Sequence, residues 1–344
     1  MYKVLLFLIS LIMYACSTEQ AYNDPLAHFL KVPKTMLKIS SRIDLEKYEV
    51  YKPWDVIKQG KRYYVYDEGS RRVAFTLLDD EKGTVKQGVS IGDGPGELRF
   101  IERLLLEGSN VTVYDGVNQK RYLILEDEDS CLYVEPFVDV GVELISFPAF
   151  CGEKMAAKSF VGDSWIHYYI NNKEKGTGSF PSFEETDKLQ NEEKVSLFRN
   201  GQQKFSPDGT KLASCISDGC AIAMYDCNES SFKEIKMLEY FPPIFTFVDY
   251  DFQKTAITTH NKVGFVDIAC TNKYVYALYS GKRLEDGLFS AYYGSYVFVY
   301  DWNGNPIIQY ELEEDLFKLN IDESEGILYG PANVPEGCIV EYKL

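Results

Sequence analysis

Histidine is scarce in this chain: His28, His167 and His260 are the full set in 344 residues. A Ser-His-Asp site needs a base beside its nucleophile, and no Gly-x-Ser-x-Gly elbow is present. A multi-histidine metal centre would need both later histidines, or carboxylates in their place. Two acidic runs, Glu126-Asp-Glu-Asp129 and 311–315, offer carboxylates. Neither has the Asp-x-Asp-x-Asp-Gly spacing with a later Glu that a calcium loop needs. Both read as solvated loops. No metal ligand, catalytic residue or cofactor is therefore assigned, and calcium has no support in the sequence. Gly92-Asp-Gly94-Pro-Gly96 invites a phosphate-loop reading, which its spacing rejects. No helix follows it to direct a dipole at phosphate, and Pro95 removes a backbone donor. Ser206-Pro-Asp-Gly209 has the pattern of a turn, with Pro at its second position and Gly at its fourth.

Cysteine carries a different chemistry. Met1-Tyr2-Lys3 is followed by a run, 4–13, that is apolar except for Ser10, and then by Tyr14-Ala15-Cys16 and a polar stretch. A charged start, a ten-residue apolar core and a small residue before the cut describe a secretory signal. The Cys directly after Ala15 makes the segment resemble a bacterial lipoprotein signal, in which the thiol receives a diacylglycerol and the new amine is acylated. Here that residue is Cys16. Residues 1–15 are expected as signal peptide and 16–35 as a tether, which would include His28. Seven further cysteines remain, an odd number that cannot all pair internally. Most lie in strand-like apolar runs and read as small buried hydrophobes, with a 220–227 or 215–220 bridge as the alternative.

The composition suits a globular body: 45% hydrophobic, 15% aromatic and a net charge of −16. The acidic balance argues against a nucleic-acid partner, which needs clustered positive charge. The one long apolar run, at the N-terminus, is too short to span a bilayer.

Past residue 36 the chain reads as short strands broken by Gly, Asn, Asp and Pro. Four runs share a pattern ending in Tyr-Asp, at Asp67, Asp115, Asp226 and Asp301. Each is followed by a polar turn and a second strand, and Asp suits a strand exit because its carboxylate bonds N–H groups of the turn. His167-Tyr-Tyr-Ile-Asn171 supplies a further copy. The stretch 320–344 echoes 205–226 and ends one strand short, a gap that 36–40 could fill. This gives six copies of roughly 50 residues, the signature of an all-β, six-bladed β-propeller closed by an N-terminal strand over 36–344. Connections between blades reach towards the axis. Glu97 and Arg99 are accordingly candidate ligand-binding residues at the channel rim. His167, which reads as a packed side chain, and His260, which reads as loop, complete that candidate set.

Ile91-Gly-Asp-Gly-Pro-Gly-Glu97, Phe205-Ser-Pro-Asp-Gly-Thr-Lys-Leu-Ala213 and Val297-Phe-Val-Tyr-Asp-Trp-Asn-Gly-Asn-Pro306 carry a resemblance to the TolB-like six-bladed propeller lipoproteins of Bacteroidota. The resemblance implies a propeller fold and a cell-envelope location on an outer-membrane lipid anchor, with the periplasmic or surface side open. It carries over no catalytic residues. The resulting expectation is a non-catalytic binding or scaffold module for a protein, peptide or glycan. The alternative is a divalent-cation-dependent hydrolase or lyase of lactonase type, with carboxylates converging in the channel.

Overall fold

The computed structural model describes residues 23–344, apart from 71, 128–130, 143 and 334–335. The signal expected over 1–15 and the lipid-attachment residue Cys16 lie outside the described residues. The stretch expected as a tether is folded from Asp24 onward. Asp24 accepts the Leu26 N–H and caps a one-turn helix, α1 (Pro25–His28). His28 does not hang in solution: its Nδ1 lies 2.8 Å from the Tyr240 hydroxyl. Phe29 is fully buried, its ring 4.6 Å from Phe298 and 4.9 Å from Tyr300. Two strands follow, β1 (Lys34–Leu37) and β2 (Ile39–Asp44).

Six four-stranded units then run round the ring. Blade 1 is β3 (Pro53–Gln59), β4 (Arg62–Asp67), β5 (Phe75–Asp79) and β6 (Thr84–Gly88). Blade 2 is β7 (Ile101–Glu107), β8 (Asn110–Asp115), β9 (Lys120–Glu126) and β10 (Cys131–Asp139). Blade 3 is β11 (Ile145–Cys151), β12 (Lys154–Ser159), β13 (Ile166–Ile170) and β14 (Lys173–Gly178). A helix, α2 (Asn191–Phe198), precedes blade 4, which is β15 (Gln203–Phe205), β16 (Lys211–Ile216), β17 (Cys220–Cys227) and β18 (Phe232–Phe241). A hairpin belonging to no blade, β19 (Phe245–Tyr250) and β20 (Gln253–Ile257), leads to blade 5. That blade is β21 (Phe265–Cys270), β22 (Tyr274–Tyr279), β23 (Gly294–Asp301) and β24 (Pro306–Leu316). Blade 6 is β25 (Asn320–Asp322), β26 (Ile327–Asn333) and β27 (Gly337–Lys343), with β2 as its outer strand. Blades 1 and 2 share one continuous sheet, because Gln87 and Gly88 pair with Cys131 and Leu132.

The closure corrects one expectation. The run 36–40 is not a single strand. Met36 and Leu37 lie in β1, which pairs parallel with β24 of blade 5. Ile39 and Ser40 begin β2, which pairs antiparallel with β27 and completes blade 6. Glu313 holds the step between them, accepting from Lys38 Nζ at 3.1 Å and from the Ile39 N–H at 2.9 Å. Glu314 pairs with Arg42. The acidic run 311–315 is therefore no solvated loop. It lies in β24, where its carboxylates receive the N-terminal strands. The stretch 320–344 does match the first three strands of blade 4, as its sequence echo predicts.

The Tyr-Asp repeat is real but falls in two registers. Asp67 and Asp115 end second strands, whereas Asp226 and Asp301 end third strands. A period-2 strand pattern looks alike in either place, so the sequence does not separate them. All seven cysteines outside the signal are free. Cys220 and Cys227 sit at opposite ends of β17, about 24 Å apart at strand rise, which excludes a bridge between them.

Each blade is a sequential antiparallel meander. Connections between blades and turns between second and third strands therefore gather on one face, called here the connection face. Large side chains fill the space between blades. Ile57, Tyr64 and Leu77 meet Leu104, Val113 and Ile124 between blades 1 and 2.

Candidate functional site

The axis of the ring is not an open reaction vessel. Polar side chains of the inner strands bond across it from blade to blade. Asp55 of blade 1 accepts the Leu104 N–H of blade 2 at 3.0 Å. Arg103 of blade 2 donates to the carbonyls of Pro148 and Gln203 at 3.1 and 2.8 Å, and also reaches the Gln202 amide. Gln203 of blade 4 donates to the Phe147 carbonyl of blade 3 at 2.7 Å. Asp267 of blade 5 accepts the Leu319 N–H at 2.8 Å, and Asn320 of blade 6 returns to the Val56 carbonyl at 2.9 Å. Lys204 reaches Asn320 Oδ1 at 3.4 Å. Burial raises the Asp55 carboxyl and lowers the Lys204 ammonium, each against opposing charges.

Arg103, Lys204 and Lys318 lie within charge range of Asp55, Asp267 and Glu102 in this core. Among the described residues no group of three or more His, Cys, Asp or Glu side chains is placed to hold a metal. In this core the described carboxylates face cationic side chains rather than one another.

The rim residues proposed from sequence lie elsewhere. Glu97 and Arg99 sit on the connection face in a cleft of about 320 Å³ between the 92–99 loop and the outer half of blade 2. Asn118, Tyr122, Val134 and Pro136 form its other wall. The loop is built inward. Glu97 Oε2 accepts the Gly94 N–H at 2.8 Å. A side chain at Gly92 would collide with that carboxylate, and Gly96 has φ +78°, a conformation that favours glycine. Glu97 therefore shapes the loop, while Arg99 is presented on it, its Nε 2.6 Å from Asp93.

Asp115 joins the two walls. Its carboxylate accepts the Arg99 N–H at 2.8 Å and the Val117 and Asn118 N–H groups at 3.0 Å each. It also takes the Asn118 side-chain amide at 2.8 Å. Asp67 repeats this one blade earlier, accepting from Lys52 N–H at 3.0 Å, Gly69 N–H at 2.9 Å and Tyr51 N–H at 3.4 Å. Beside it lies a second cleft, about 460 Å³, whose lining includes Tyr51, Ser70, Arg72 and Gln87. The Tyr-Asp motif marks both positioning carboxylates in the sequence. The residues lining the clefts beside them, Tyr51, Arg72, Asn118 and Tyr122, carry no signal of their own.

The histidines join neither cleft. His167 lies on β13 of blade 3, with Nδ1 2.8 Å from Glu174 and Nε2 buried without a hydrogen bond. His260 lies in the connection between blades 4 and 5, with Nδ1 2.7 Å from Glu285. Structure thus brings Glu97 and Arg99 together and keeps His167 and His260 apart from them and from each other. Two further groups are strongly perturbed. Burial pushes the Glu102 carboxyl up to about 7. Burial brings the Lys158 ammonium down to about 7, where it donates to the Cys215 carbonyl at 2.8 Å.

Six four-stranded blades, an N-terminal strand closing the last, and recurrent Asp-anchored connections define a six-bladed β-propeller. The chain belongs to the family described as TolB-like 6-blade propeller-like, which matches residues 34–324. Among solved structures it is similar to a Bacteroides fragilis chain provisionally assigned as exported. That match has 11% identity and a TM-score of 0.52, covering 90% of this chain and 98% of the other. A protein from Lactobacillus plantarum is similar at 13% identity and TM-score 0.46, over 82% of this chain and 77% of the other. A Bacteroides uniformis chain provisionally assigned as a 6-phosphogluconolactonase gives 13% identity and TM-score 0.40, over 73% and 67%. These likenesses concern the fold alone. No curated protein matches the chain.

Proposed function

We propose that this protein is a non-catalytic binding propeller, lipid-anchored in the bacterial envelope through Cys16, that recognises an extended peptide or glycan segment on blades 1 and 2. One observation carries the binding reading. Asp67 and Asp115 build the same geometry twice on adjacent blades, and each copy opens a cleft containing an arginine and a tyrosine. Neighbouring subsites of like chemistry suit a ligand with repeating polar groups. The arginine and main-chain groups supply hydrogen bonds, and the ring supplies an apolar face. The axial carboxylates, each facing basic side chains, give the binding reading further support over metal-assisted hydrolysis.

The anchor rests on the leader ending in Ala15-Cys16. Cys16→Ala is expected to release the protein from membranes and to abolish incorporation of labelled lipid. Unchanged fractionation without lipid label would contradict the anchor. For the site, oligosaccharide and peptide panels are titrated calorimetrically against the mature chain carrying Cys16→Ser. A ligand whose affinity falls in both Arg99→Ala and Tyr122→Ala supports the cleft. Binding indifferent to both substitutions refutes it.

A further inference from the structure

Opposite the two clefts, across the ring, the connection between blades 4 and 5 has a different character. It carries the extra hairpin β19–β20, whose Phe247 and Tyr250 are 62% and 70% exposed, with Ile244 and Phe252 also exposed. Blade 5 adds an insertion between β22 and β23 whose Phe289 is 87% exposed, beside exposed Leu288. Single exposed apolar residues are ordinary, but six on two neighbouring insertions mark a contact surface.

Both insertions are rooted at one point. The buried Asn261 accepts the Ile244 N–H on its side chain at 2.8 Å, at the base of the hairpin. Its backbone carbonyl accepts the Leu284 N–H at 3.1 Å, at the base of the second insertion. The next residue, Lys262, meets Asp24 at 2.5 Å, and Tyr279 donates to the same carboxylate at 2.9 Å. The described N-terminus is therefore pinned to the root of both insertions.

Only eight residue steps separate Asp24 from Cys16, and fully extended they span no more than about 28 Å. The acyl chains of an anchor lie in the hydrocarbon, under a headgroup layer roughly 5–8 Å thick. An anchor on Cys16 thus holds the Asp24 corner within about 20 Å of the headgroups. The aromatic insertions share that corner. We infer that the two insertions at blades 4 and 5 seat on the bilayer that carries the lipid anchor, with Phe247, Tyr250 and Phe289 at the headgroup boundary. This rests on the lipid-anchor reading. The apolar tips suit an interface where rings bury their faces and a hydroxyl stays wet.

The test is amide hydrogen exchange on the full lipidated chain, in detergent and then in phosphatidylcholine–phosphatidylethanolamine vesicles. Vesicles are expected to slow exchange at 244–253 and 286–290 and to leave the turn at 80–83, on the opposite face of the ring, unchanged. The triple variant Phe247→Ser, Tyr250→Ser, Phe289→Ser, all at exposed positions, is expected to lose that protection while remaining vesicle-bound through its lipid. Lipidated, vesicle-bound protein with unprotected insertions overturns the seating and leaves the anchor intact. A chain carrying no lipid overturns the anchor and the seating with it. Protection that appears only on adding envelope proteins, and not with vesicles, overturns the seating in favour of a protein partner.

Discussion

The two ends of one diameter of this ring are built from the same kind of segment and do opposite things. At blades 1 and 2 the connection is short, wound around a carboxylate, and tied down by Asp115. It leaves a polar hollow. At blades 4 and 5 the connection is long, carries a hairpin supported by α2 through Ser196 and Thr255, and ends in exposed rings. Residues 24–29 dock at the second. A propeller fixes where connections lie and leaves their length free, so function is written there by insertion. On the proposed reading, one side receives a polar ligand and the other is held.

The largest effect should come from the held side. Phe29→Ala empties a fully buried aromatic site and is expected to cost about 3–5 kcal/mol, measured by denaturant unfolding. It should also open the 23–33 segment to limited proteolysis. A loss below about 1 kcal/mol with 23–33 still protected would show that the segment is not docked as described.

On the receiving side, Asp115→Asn weakens several charge-assisted bonds at once and is expected to cost about 2–3 kcal/mol. Ligand affinity should fall with it, because Arg99 and Asn118 lose their common anchor. Asp67→Asn should behave alike. If only one of the pair matters for binding, the two clefts are not one extended site.

A third prediction concerns pH and sets blades 2 and 3 against both rims. Glu102, near Arg103 and Lys318, titrates higher in the folded chain than when unfolded. The folded state then binds the extra proton, so stability falls as pH rises from about 4.5 to about 7. Lys158, near Cys215, Arg103 and Asp218, titrates lower when folded. The unfolded state binds the extra proton, so its contribution raises stability from about 7 towards 10.5. Each slope is at most about 1.4 kcal/mol per pH unit. Glu102→Gln is expected to flatten the acid limb and Lys158→Met the alkaline one, read by thermal unfolding across pH. Unchanged limbs would mean that neither group is buried as described.

The smallest stability effect is Arg99→Ala. Its pair with Asp93 is exposed, and such pairs are worth about 0–1 kcal/mol. A near-neutral stability with lost binding separates a ligand contact from a structural one.

Much of the fold was legible because propeller strands alternate at period 2 and the turns between them are marked by Gly, Asn and Asp. The six copies and the missing last strand both followed from that. The docking of Asp24, His28 and Phe29 did not. A four-residue helix has no periodicity to read, and its partners Tyr240, Lys262 and Tyr279 lie more than 200 residues away. Glu97 and Arg99 were legible as a motif but misplaced at the channel, because spacing does not say how far out a connection settles. The axial core was invisible. Asp55, Arg103, Lys204 and Asp267 lie on the first strands of four different blades with no shared motif, and only ring closure brings them together.

The most direct test of the central claim is thermal unfolding of the mature Cys16→Ser chain with oligosaccharide and peptide panels, with Ca²⁺, Mg²⁺ and Zn²⁺, and with EDTA. A ligand at 100 times its Kd stabilises by about 2.7 kcal/mol. The account predicts stabilisation by a glycan or peptide that disappears in Arg99→Ala and Tyr122→Ala and is indifferent to EDTA. Stabilisation by a divalent cation, reversed by EDTA and untouched by either substitution, would contradict it and return the site to the channel.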